Sequence, residues 1–115
     1  MIETTVLDYL NEQLKPVKVY LSEPANTKPN GETFVVIQKT GSGCENHIFS
    51  ATFAILSYAP TLYESAVLNE SVKEAMFNII SLDEITKSTL NSDYVFIKES
   101  TKQNRYQAVF DLIHY

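Results

Sequence analysis

TFVVIQKTGSGCENHIFSATFAILSYAPTLYE, residues 33–64, places two strand-like runs, a glycine-bearing connection and a helix start in one passage. Phe34-Val35-Val36-Ile37 is an unbroken run of β-branched and aromatic residues, the pattern of a strand buried on both faces. In HIFSATFAILSYA, two-residue alternation sets Phe49, Ala51, Phe53 and Ile55 on one face of a second strand. The two runs read as an antiparallel hairpin joined by KTGSGCENH, residues 39–47, whose glycines would permit positive φ in the connection. Pro60 then ends the strand, and Thr61 followed by Glu64 three positions on is a capping box that opens a helix. Leu68, Val72, Ala75, Met76 and Ile79 supply its apolar stripe, with Glu70, Lys73 and Glu74 toward solvent, so a helix is expected over about 62–80.

Before this passage, Ile2, Val6, Leu10 and Leu14 recur about every four residues with Leu7 beside them, while Glu3, Asp8, Asn11 and Glu12 lie off the stripe. An amphipathic first helix follows, stopped by Pro16, and VKVYL at 17–21 reads as a short strand. SEPANTKPNGE, 22–32, has prolines, asparagines and a glycine without apolar periodicity, an exposed loop with a turn at Asn30-Gly31. After the second helix come EITKSTL, DYVFIKES and RYQAVFDLIHY, read as three strands separated by Asn91-Ser92 and by residues 101–104. In the last, Tyr106, Ala108, Phe110 and Leu112 share a face opposite Gln107, Val109, Asp111 and Ile113. Helix, strands, helix, strands in segregated runs predicts a single α+β domain over 1–115, with both helices on one face of a mainly antiparallel sheet.

Composition narrows the chemistry. At 115 residues, 44% hydrophobic and 20% charged, the chain can bury a core without disulfides or metal. A net charge of −5 removes the usual electrostatic basis for general nucleic-acid affinity. One cysteine makes no internal disulfide, and no Cys/His spacing suits zinc, which fits a reducing compartment. The acidic N-terminal stretch is unlike a signal peptide, and no segment nears the roughly 20 apolar residues that span a bilayer, so no membrane partner is expected.

No motif specifies a reaction. Gly41-Ser42-Gly43 lacks the lysine and spacing of a phosphate-binding loop. Cys44 and His47 are close in sequence and define a thiol-enzyme alternative, although proximity within a loop is a weak signal. Asp111 and His114 fall on opposite faces by alternation, and Asp83-Glu84 reads as a solvated turn. Lys98, Lys102 and Arg105 gather around the last hairpin, where they could meet phosphate, as in nucleic-acid contact, or an acidic partner, or simply guard an edge strand. Seven tyrosines spread over all elements suit surfaces that are half apolar and half wet, as in an oligomer subunit.

Residues 34–79 together with LNSDYVFIKESTKQNRYQAVFDLIHY at 90–115 resemble the small tail proteins of long-tailed phages and prophages of Gram-positive bacteria. The likeness lies in the order of phrases: SYA before the second helix, LNESVKEAM within it and RYQAVFDLIHY at the end. It is a likeness to minor tail, tail completion and tail terminator proteins, and it implies a tail terminator-like α+β domain without active site or cofactor. The resemblance further implies a ring, usually of six copies, that caps the tail tube and joins it to the head. The implied partners are the chain itself, the major tail tube protein and a head completion or connector protein, with DNA only passing through the lumen. Its implied location is the virion tail, reached from the host bacterial cytoplasm. A head-tail connector or stopper is the neighbouring alternative. Two loops become candidate contacts: Asn26, Lys28 and Asn30 in one, and Gly41, Ser42, Gly43, Glu45 and His47 in the other. Lys98, Lys102 and Arg105 are a third candidate contact.

Overall fold

A computed structural model describes residues 1–22, 33–98 and 103–115. Helix α1 (Ile2–Gln13) buries Val6 and Leu10, and Leu14 caps its end. Asn11, off that stripe, braces the first strand. Its amide donates to Val19 O at 3.2 Å and its Oδ1 accepts from Val19 N at 2.9 Å. One side chain thereby supplies the backbone partners that a neighbouring strand would give to β1 (Lys18–Tyr20).

Strands β2 (Phe34–Glu45) and β3 (Ile48–Ala59) precede α2 (Leu62–Phe77), a 3-10 turn at Asn78–Ser81, β4 (Ile85–Lys98) and β5 (Gln103–His114). The sheet order is β1-β2-β3-β5-β4, with β1 parallel to β2 and every other pair antiparallel. The protein is therefore α+β. Val6, Leu10 and Leu14 of α1 and Leu68, Val72, Ala75 and Met76 of α2 share one buried cluster with sheet residues such as Val35, Phe53, Ile55, Phe110 and Leu112. Tyr9 ties the helices together by donating to Ala75 O at 2.7 Å. The opposite face carries a smaller buried cluster of Phe34, Val36, Leu56 and Tyr58, which explains why residues 34–37 read as apolar without alternation.

Three boundaries differ from those expected. Lys39–Glu45 is not a hairpin loop but the second half of β2, paired through to Glu45↔Ile48 with one bulge between Lys39 and Gly41. The turn is Asn46-His47 alone, with φ of 52° and 64°, and no described glycine has positive φ. Asn46 suits that conformation, and the left-handed pair matches the twist of the flanking strands. Asn91-Ser92 does not separate two strands; it is a bulge in one continuous β4, because β5 pairs with residues on both sides of it. Helix α2 ends at Phe77 and tightens into the 3-10 turn, which still buries Ile79. Its start follows the capping box, with Thr61 Oγ1 accepting from Glu64 N at 3.1 Å, while the Glu64 carboxylate accepts from the Thr61 hydroxyl.

Candidate functional site

The β2–β3 hairpin lies within a body measuring 44 × 25 × 23 Å, its β3 strand paired with β5 from Phe49 to Ala59. β1 pairs with Phe34–Val36, and beyond that point β2 is a sheet edge among the described residues. Its residues Gln38–Glu45 are all exposed. Gly41, Ser42, Gly43, Glu45 and His47 are thus brought onto one hairpin, the first four on its outer strand and His47 on the turn. Gly41 and Gly43 lie opposite Thr52 and Ser50 on the face away from the larger buried cluster. A Cβ at Gly41 would meet nothing within 4 Å, and one at Gly43 would meet Ser50 Oγ at 3.0 Å. Gly43 and Ser50 line a shallow depression of about 480 Å³ bordered by Ile48 and Ile113.

Lys39 points to the helix side, where its ammonium sits 3.2 Å from Glu3. A backbone hydrogen bond and then the Lys39 ammonium hold the Glu3 carboxyl below its usual range. Cys44 is exposed on the edge, opposite Phe49, and among the described residues no group of three or more His, Cys, Asp or Glu side chains could hold a metal ion. His114, paired opposite Phe49 close to the hairpin turn, stacks on it with ring centroids 5.6 Å apart.

The basic contact is arranged differently from a solvated patch. Arg105 donates to the Tyr58 hydroxyl at 2.6 Å and lies 5.6 Å from the Tyr58 ring centroid. Tyr58 in turn stacks on Phe34 at 4.5 Å. Arg105 is therefore half-buried over the second apolar cluster. Lys102 and the Lys98 side chain lie outside the described residues, as do Asn26, Lys28, Asn30 and the turn expected at Asn30-Gly31.

Two polar networks escaped the sequence reading. Asp111 on β5 accepts from Thr52 of β3 at 2.7 Å and from Asn91 of β4 at 3.0 Å, linking three adjacent strands on the face opposite the larger buried cluster. The Thr52 hydroxyl, then Asn91, holds its carboxyl below the ordinary aspartate value. On the other face Asp93 binds Asn69 and Lys73 of α2, and Ser88 donates to Met76 O at 2.7 Å near the end of that helix. The hydrogen bonds that Lys73 donates to Asp93, then to Glu70, raise its pKa. Only the bulge-forming asparagine hinted at the first network, and Asp93 read simply as a strand residue.

Among the described residues no helix is long and apolar enough to cross a membrane. No protein-family model matches the chain, and a search of curated proteins finds no match.

Proposed function

We propose that the protein is a non-enzymatic virion-assembly component of the tail terminator type, which closes as a ring on the end of a tail tube and joins it to the head. Gln38–Glu45 carries this reading: eight successive strand residues, all exposed, along a sheet edge that has no strand partner among the described residues. Exposed edges invite pairing with another chain. An exposed edge of this kind suits a protein whose work is contact, and the ordered phrases of the sequence resemble tail proteins. The partners are further copies of the chain, the tube protein and a head completion protein; DNA passes through the ring without being held. A connector or stopper of the neck is the alternative, separated by whether the tube or the head-side protein is bound.

The test is to polymerise the matching tail tube protein with and without this chain and measure tube lengths by electron microscopy. Tubes capped and arrested by the chain support the reading. Tubes unaffected at any ratio contradict it.

A further inference from the structure

We propose that the groove along one side of α1 is a docking site for an extended segment of a different protein, one in which lysine or arginine alternates with apolar residues. Two adjoining depressions make the groove, of about 450 Å³ and about 300 Å³, and Thr5 and Glu84 line both. One wall is α1; the other is the chain from Ser81 to Glu84 that leads into β4. The 12 residues of the helix give the groove a length of about 18 Å, at about 1.5 Å per residue. About five or six extended residues, at about 3.3 Å each, span that distance.

The floor is apolar. In one half Tyr9 and Leu82 pack against the main core, and the bond from the Tyr9 hydroxyl to Ala75 O fixes that ring. The other half opens among Met1, Phe49 and Tyr115, which are 78%, 43% and 72% exposed, with Phe49 backed by the His114 ring. Large apolar side chains left exposed together mark an interaction surface.

The rim is acidic on both walls. Asp8 and Glu12 stand on α1 and Glu84 on the opposite wall, all three exposed. Among the described residues Asp8 and Glu84 have no ion pair, and Glu12 has only Lys15, in a contact where both side chains are 68% exposed and water competes. An extended segment turns alternate side chains to opposite sides. Its apolar set meets the floor, while the stems of its basic set lie over the edges of that floor and their charged heads reach the carboxylates of either wall. The net charge of −5 adds a general attraction for such a segment.

A second copy of this chain is a poor occupant. Of the lysines and arginines with described side chains, Lys15, Lys39 and Lys73 are ion-paired and Arg105 lies on Tyr58. That leaves Lys18 and Lys87, on β1 and β4 at opposite edges of the sheet. In sequence, Lys98 is followed directly by Glu99. The chain therefore offers no basic run of its own, and the complementary charge belongs to a different protein.

The test uses the full chain and fluorescein-labelled hexapeptides, read by fluorescence anisotropy. A peptide of alternating lysine and leucine should bind, and more weakly as salt rises. One of alternating lysine and serine, which keeps the charge and loses the apolar set, should bind at least several-fold more weakly. Asp8→Asn with Glu84→Gln should weaken the lysine-leucine peptide at least tenfold. Glu45→Gln with Glu74→Gln, the same change of charge at exposed carboxylates away from the groove, should weaken it less than twofold. Thr5→Lys, which sets an ammonium on the wall shared by both halves, should abolish binding while circular dichroism stays unchanged. No binding of the lysine-leucine peptide would overturn the proposal, and so would equal binding of the serine peptide or equal losses from the two carboxylate pairs, since these mark attraction to net charge alone. The inference goes beyond the ring reading, and the two fail separately. Peptide binding by a chain that ignores tubes would keep the groove and remove the tail role, and capped tubes from a chain that binds no peptide would do the reverse.

Discussion

Asp93 Oδ2 meets Lys73 Nζ at 2.7 Å while its Oδ1 accepts from Asn69 Nδ2, also at 2.7 Å, so one carboxylate on β4 holds α2 at two points one turn apart. Asn69 is almost fully buried. Asp93→Ala leaves that amide donor without its partner and should cost about 1–3 kcal/mol, the desolvation penalty of an unmade hydrogen bond. Lys73→Ala should cost less, because Asp93 keeps Asn69. Urea unfolding of both variants checks the order; equal losses would mean the ion pair, not the amide, dominates.

The hairpin turn is made by Asn46 and His47, both with positive φ. His47→Gly should stabilise the chain by about 1 kcal/mol by relieving the left-handed backbone. Gly41 presents the contrast: Gly41→Ala adds a methyl into open space without positive φ, so the isolated chain should keep or slightly gain stability. Thermal unfolding of the two variants checks both expectations. Loss of stability in either would contradict this description of the hairpin.

Ser57 is fully buried and its hydroxyl has no hydrogen-bond partner among the described residues. Ser57→Ala removes a desolvated polar atom at nearly constant shape and should raise stability by about 1 kcal/mol. A clear destabilisation in denaturant titration would show that the hydroxyl is satisfied in solution.

Asp111 gives the fold a defined acid response. Its folded pKa lies below the ordinary aspartate value of 3.8, held down by Thr52 and Asn91. The unfolded chain therefore binds this proton first as pH falls, so the stabilisation is complete above the unfolded value and declines as pH drops through the folded one. Asp111→Asn should flatten this part of the stability profile below about pH 4. An unchanged slope on comparing the two titrations would assign the acid response to other carboxylates.

Much of the fold was legible because its signals are local. Val6 and Leu10 repeat at helical spacing, Phe53, Ile55, Phe110 and Leu112 alternate, and Thr61 with Glu64 marks a helix start; all occupy the expected elements. Gly41-Ser42-Gly43 and Asn91-Ser92 misled because their composition says turn, whereas each lies beside a neighbour that is itself held in the sheet. β3 carries the first through as strand, and β5 carries the second through as a bulge. The candidate surface was visible as residues but not as a shape. That Gln38–Glu45 forms an open edge among the described residues depends on the order β1-β2-β3-β5-β4 and on the β1 pairing ending at Tyr20, neither of which local pattern encodes.

The central claim, that the chain works by closing into a ring on a tail tube, is tested most directly by its mass. Light scattering of the purified protein, alone and with the matching tail tube protein across a concentration series, should give a closed oligomer near six copies in at least the second case. A monomer under every condition, indifferent to the tube, would contradict it.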